Sequence, residues 1–115
     1  MEEVRGEDYT VTYDRDKGTA YFNGIFRLSG AEGYRPIAEF LGRILASGVN
    51  SLVLDLRELV LLNSSGITML SRFVIHARQY EHLALKIRGS QAIFWQERSL
   101  GNLQRLHPRI ELDWD

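Results

Sequence analysis

The sequence predicts an α/β domain built on a mixed sheet. An antiparallel hairpin opens it, and parallel strands with helical crossovers follow, in the order β-β-α-β-α-β-α-β. Three observations carry this expectation. Two stretches with a period of two flank a turn signal between Tyr9 and Phe26. Beyond them, helical spacings alternate with short apolar runs, the pattern of parallel strands connected through helices. No repeat, low-complexity tract or Pro/Gly/Ser linker divides the 115 residues, so the expectation is eight flexible residues (1–8) followed by one domain, 9–115.

The elements follow in order. Tyr9, Val11 and Tyr13 alternate with Thr10, Thr12 and Asp14, as a half-buried strand requires. Asp16-Lys17-Gly18 is the turn, and Thr19 to Phe26 the returning strand. Ile37, Phe40, Leu41, Ile44 and Leu45 then share one helical face. Ser29 or Gly33 can cap this helix, Pro36 suits a first turn whose amides lack acceptors, and Gly48 closes it.

Ser51-Leu52-Val53-Leu54-Asp55-Leu56 is nearly all apolar, the mark of a strand covered on both faces. A second helix runs from Ser64 to about Tyr80, with its stripe on Ile67, Leu70, Val74 and Ala77, widened by Met69 and Phe73. Leu83 to Ile87 is a strand. Ser90 caps a third helical region from Gln91 to about Arg98, which continues or restarts through Leu106 until Pro108 stops it. Ile110 to Trp114 is the last strand.

Composition excludes several functions. With 14 basic and 15 acidic side chains, a net charge of −1 and no block of like charge, nothing marks a nucleic-acid or anionic-membrane surface. There is no cysteine, hence no disulfide, thiolate nucleophile or cysteine zinc site. The acidic start lacks the features of a signal peptide, and no apolar run reaches the ~20 residues that span a bilayer. The expectation is a soluble, cytoplasmic protein.

Chemistry is sparse. His76, His82 and His107 match no compact metal-ligand spacing, so neither a metal nor another cofactor is expected. Asp55 has no histidine placed to complete a hydrolase triad with a serine. Gly30-Ala31-Glu32-Gly33 lacks the spacing and the Lys-Ser/Thr of a phosphate-cradling loop. Phe94 and Trp95, adjacent on a helix, point about 100° apart; one belongs to the core and the other to a partner contact.

The functional segment is Asn63-Ser64-Ser65-Gly66. It lies where a strand hands over to a helix, at the carboxyl end of the sheet. Asn63 is a favoured N-cap, and the hydroxyls of Ser64 and Ser65 precede the apolar stripe. A phosphoserine there, at about −1.5 to −2 charge, meets free amides and the positive end of the helix dipole. Leu59-Val60-Leu61-Leu62 is expected to be a short apolar connection. The expected partner surface is therefore Leu59, Leu61, Leu62, Asn63, Ser64 and Gly66, around an acceptor that is Ser65 or, alternatively, Ser64.

Residues Leu54 to Ile67 resemble the signature of the STAS domain. There, an apolar strand ending near an acid leads to Asp-Ser-Ser-Gly and an apolar helix. The element order agrees with that family from Tyr9 to Trp114. The resemblance implies a bacterial anti-sigma-factor antagonist, or a relative in a partner-switching pathway, and no enzymatic activity. Such a protein binds a serine kinase or anti-sigma factor of the histidine-kinase-like ATPase fold. It is released when the motif serine, here Ser65, is phosphorylated, and a PP2C-type phosphatase resets it.

Two departures mark a divergent subgroup. Asn63 stands where the family has aspartate, removing a charge beside the acceptor. The chain also ends after its last strand, where the family adds a helix, leaving surface for a partner or for a second copy in a homodimer. These departures motivate the alternatives of an unphosphorylated small-ligand sensor and of a subunit in a larger signalling assembly.

Overall fold

The computed structural model describes residues 2–115. Its elements are β1 (Glu2–Arg5), β2 (Tyr9–Asp14), β3 (Thr19–Phe26), α1 (Gly30–Ala46), β4 (Ser51–Leu62), α2 (Ser64–Ala77), β5 (Ala84–Gly89), α3 (Gln96–Leu106) and β6 (Glu111–Trp114). They form a six-stranded sheet in the order β1-β2-β3-β4-β5-β6. The pairs β1–β2 and β2–β3 are antiparallel, and the remaining pairs are parallel. This is the mixed, STAS-like α/β arrangement that the element order predicts.

Alternation decides what each strand buries. Val11 and Tyr13, Ala20 and Phe22, Leu52, Leu54 and Leu56, and Leu85 and Ile87 all point to one face and are at most 3 % exposed. On that face they meet Ile37, Leu41 and Leu45 of α1, Leu70 and Val74 of α2, and Leu100 and Leu103 of α3. Because α1 packs on α2 and α2 on α3, the helices make a single layer.

The opposite face of the sheet therefore has no helical cover, contrary to the expectation for residues 51–56. Its register row runs Glu3, Thr12, Tyr21, Asp55, Arg88, Asp113. Arg88 pairs with Asp113 at 3.0 Å and Lys86 with Glu111 at 3.0 Å, as suits a wet surface. Asp55 is the exception, 4 % exposed and held by both the backbone amide and the guanidinium of Arg57.

A flexible lead was expected over residues 1–8; Met1 lies outside the described residues, and residues 2–5 form a further strand. Glu2–Arg5 pairs with Thr10–Tyr13, and Val4 packs against the core beside its partner Val11. A stretch reading Glu-Glu-Val-Arg has a single apolar residue, too few to show a period of two.

The strand expected to end at Leu56 runs on to Leu62. Against β3 it slips register twice, between the pairs Tyr21–Asp55 and Asn23–Glu58 and between Gly24–Leu59 and Ile25–Leu61. Each slip places one extra residue in β4 and reverses which side chains face inward. The inward positions thus pass from Leu56 to Leu59 and then to Leu62, while Val60 and Leu61 are left facing out, 55 % and 42 % exposed. Residues 59–62 are a bulged strand, not a connection.

Two helix ends also differ from expectation. Pro36 is the seventh residue of α1, in its second turn, so it removes one intrahelical bond. The Ser90 hydroxyl accepts a bond from the Ala92 amide at 3.2 Å, shaping a turn, and α3 starts at Gln96 instead of Gln91. Phe94 and Trp95 divide as expected: Phe94 is 93 % exposed, and Trp95 packs against the core.

Candidate functional site

The site is assembled where β3 and β4 end and α1 and α2 begin. Asn63 is the N-cap of α2, in the extended conformation that a cap requires. Its side-chain oxygen accepts the Gly66 amide at 3.0 Å and faces the Tyr34 hydroxyl at 2.6 Å. Its amide nitrogen donates to the Leu28 carbonyl at 2.8 Å. The backbone amide of Asn63 reaches the Phe26 carbonyl at 3.2 Å, an oxygen also 3.0 Å from the Tyr34 hydroxyl. Asn63, through its side chain and its backbone amide, thereby ties together the end of β3, the start of α1 and the first turn of α2. Both ends of its side-chain amide are used, so the oxygen and nitrogen cannot be exchanged.

Tyr34 closes the cluster from below. It is 1 % exposed, and burial pushes its hydroxyl above the usual tyrosine range, so it stays protonated and available as a donor. In the sequence it is simply one more residue on the apolar face of α1, and nothing there signals its hydrogen bonds. Gly66 is needed for room. A Cβ at that position would overlap the Leu62 side chain and come within 2.8 Å of the Tyr34 hydroxyl.

The expected interface divides accordingly. Leu59 is fully buried and Gly66 is buried as well, so neither offers a surface; the bulges in β4 turn the one inward, and close packing covers the other. Leu62 and Asn63 are half-buried and taken up by packing and capping. Leu61 and Ser64 are exposed, and Val60, outside the expected set, joins them. Ser65 is half-buried and opens onto a cleft of about 430 Å³ between α1 and α2. No acidic side chain occupies the first turn of α2, so nothing there repels an added phosphate.

A second cluster holds the exposed end of β4 in place. Only Ser51–Asp55 pair with β5, which leaves later carbonyls of β4 without a strand partner on that side. Gln96, fully buried, donates its amide to the carbonyls of Leu56 at 2.7 Å and Leu59 at 3.1 Å, and accepts the Ser90 amide at 2.9 Å. The Trp95 indole N–H donates to the Val60 carbonyl at 2.8 Å. Sequence reasoning missed Gln96 because a glutamine at a helix start carries no sign of burial.

The remaining candidates stay apart. His76 lies along the cleft and stacks edge-on against Tyr80 at 5.6 Å; it follows Ser65 by eleven residues, about 16 Å along the helix axis. His82 is exposed and His107 buried. Among the described residues no three His, Asp or Glu side chains are grouped to hold a metal ion, and no helix is long and apolar enough to cross a membrane. Asp55 belongs to the uncovered sheet face, away from the serines.

The fold has counterparts among solved structures. A chain in the crystal structure of the diguanylate cyclase SiaD in complex with its activator SiaC, from Pseudomonas aeruginosa, superposes with a TM-score of 0.71 at 18 % identity over all of both chains. The chain has the SiaC fold. Apo-SiaC from the same organism gives a TM-score of 0.64 at 19 % identity, over 100 % of this chain and 99 % of that one. A further SiaC structure gives 0.59 at 20 %, over 99 % and 96 %. No protein-family model and no curated protein matches the sequence.

Proposed function

We propose that this protein is a phosphorylation-gated regulator that acts by binding a partner protein, not by catalysis. The observation that carries the reading is the placement of two serine hydroxyls at the start of α2. They rest on the Asn63–Tyr34–Gly66 support; Ser65 opens onto the apolar-floored cleft between α1 and α2, and the exposed Leu61 precedes Ser64 by three residues. A partner reading that surface meets small neutral groups beside apolar ones. Phosphate on Ser65, or alternatively Ser64, puts a bulky dianion there, and burying it against apolar surface is heavily penalised.

The support explains why the domain survives modification. The bonds of Asn63 do not involve either hydroxyl, and the added charge sits at the favourable end of the α2 dipole. The protein thus changes its surface without unfolding. The fold is compatible with a STAS-type partner switch, in which a kinase of the histidine-kinase-like ATPase fold modifies the serine and a PP2C-type phosphatase restores it. SiaC, described as the activator of a diguanylate cyclase, makes a signalling enzyme a suitable output partner alongside an anti-sigma factor.

The test combines modification mapping with binding. The protein, produced in its native host, is examined by mass spectrometry, and Ser65→Ala and Ser65→Glu are compared for retention of partners crosslinked to the wild type. The proposal expects phosphate on Ser65 or Ser64, retention by Ser65→Ala and loss by Ser65→Glu. Unmodified serines together with equal retention by both variants would refute it.

A further inference from the structure

The cleft that Ser65 opens onto runs between α1 and α2. Its floor is apolar, made by Tyr34, Met69 and Phe73, none more than 7 % exposed. Arg35 on α1 and Arg72 on α2 line it, and among the described residues neither forms an ion pair. No Asp or Glu lines the cleft. Two cationic side chains and no acidic one thus line a common apolar floor, a lining complementary to a ligand that is apolar on one face and acidic at its flanks.

We propose that the α1–α2 cleft receives an amphipathic, acidic helix of the partner protein, and that phosphate on Ser65 closes it by occupying the same arginines. The second half rests on the gating reading above. The dimensions suit a helix. The lining residues run from Ala31 to Gly42 and from Ser65 to His76, about 16 Å or three helical turns on each side. Such a length accommodates apolar anchors at i, i+3 or i+4, and i+7 of a docked helix, with flanking acids toward the arginines. The wall on α1 is low, because Ala38 and Gly42 stand there, and a Cβ added at Gly42 would meet nothing within 4 Å.

Charge then supplies the gate. Ser65 and Arg72 lie seven residues apart on one face of α2, about 10 Å along the axis, a separation comparable to the Debye length of about 8 Å at physiological salt. A phosphate of about −1.5 to −2 charge at Ser65 neutralises the attraction that the acidic helix needs and repels its carboxylates.

The probe is a pair of stapled helical peptides of about eleven residues, identical in their leucine anchors, with glutamates on the flanks of one and lysines on the other. Fluorescence anisotropy should show the wild type binding the glutamate peptide at least about tenfold more tightly than the lysine peptide, less so as salt is raised. The double variant Arg35→Glu/Arg72→Glu should reverse that order, and Gly42→Phe, which fills open space, should abolish both. Ser65→Glu should weaken the glutamate peptide about fivefold. No binding of either peptide, equal binding of both, or indifference to Gly42→Phe overturns the proposal. So does occupation by something else, seen as self-association that Gly42→Phe removes, or as a small ligand retained on purification. If the peptides fail while Ser65→Glu still releases crosslinked partners, the cleft proposal falls and the gating reading stands. If the glutamate peptide binds as expected but Ser65→Glu leaves partners in place, the reverse holds.

Discussion

Replacing Asn63 with aspartate separates a local helix-capping argument from the whole-site argument. At an N-cap the two residues are equivalent, and a carboxylate gains about 0.3–1 kcal/mol from the helix dipole. On that ground alone Asn63→Asp is neutral or stabilising. Here, however, the side-chain nitrogen donates to the Leu28 carbonyl at 2.8 Å while the oxygen is used by the Gly66 amide and the Tyr34 hydroxyl. A carboxylate keeps the latter two bonds and sets an oxygen against the Leu28 oxygen. Losing that bond and confronting two acceptors costs about 1–3 kcal/mol. The lost bond outweighs the dipole gain, so the variant should be about 1–2 kcal/mol less stable at neutral pH, a fall of about 3–10 °C in midpoint for a domain of this size.

The pH dependence makes the test sharper. Against a carbonyl, the introduced carboxyl is favoured in its protonated form, which can donate to Leu28, so its folded pKa lies above its unfolded value near about 3.9. Between the two values the folded state binds more protons, and stability falls as pH rises. Urea unfolding of both proteins should therefore show a gap that is widest near neutrality and narrows toward about pH 4. A variant as stable as the wild type at neutrality, with a gap that does not change with pH, would show that the amide is not required.

Gln96→Leu removes every hydrogen bond that holds the Ser90 amide and the carbonyls of Leu56 and Leu59 from that side chain; it should cost about 2–4 kcal/mol in urea unfolding, and a loss under about 0.5 kcal/mol would refute the bracing role. Gly66→Ala should destabilise by about 1–3 kcal/mol through overlap with Leu62 and Tyr34, whereas Gly42→Ala, which meets nothing, should stabilise by about 0.5–1 kcal/mol; equal effects in thermal melts would contradict the packing described. His107 is 1 % exposed with an unpartnered Nδ1, and burial first, then the charges of Arg109 and Arg78, hold its pKa below the usual histidine value. The unfolded chain therefore takes up the proton first, so stability should be full above about pH 6.5 and decline as pH falls below it, a decline that His107→Phe should flatten.

Much of the fold was legible because its signals are local. The alternation of Tyr9–Asp14 and Thr19–Phe26, the stripe from Ile37 to Leu45, and the cap Asn63 before Ser64 each fall where the residues place them. What escaped depends on neighbours distant in sequence. The β4 extension hides because its bulges break the period of two, and Leu59 to Leu62 then resemble a greasy connection. The uncovered sheet face hides because Val53 is apolar and Asp55, though buried, is satisfied by Arg57 two residues on. Ser90 gave a helix-start signal that the backbone spends on a turn. The placement of Ser64 and Ser65 at the head of α2 was readable; the Tyr34 bond to their cap and the cleft beside Ser65 required two helices to be brought together.

Gating at the start of α2 is tested most directly by titrating the crosslinked partner, once purified, with protein carrying phosphoserine at position 65 and with protein left unmodified. Calorimetry should give the unmodified form at least about tenfold tighter binding, with both forms equally folded by circular dichroism. Equal affinities would mean that the hydroxyl at the head of α2 does not govern partner choice, and the account would fail at its centre.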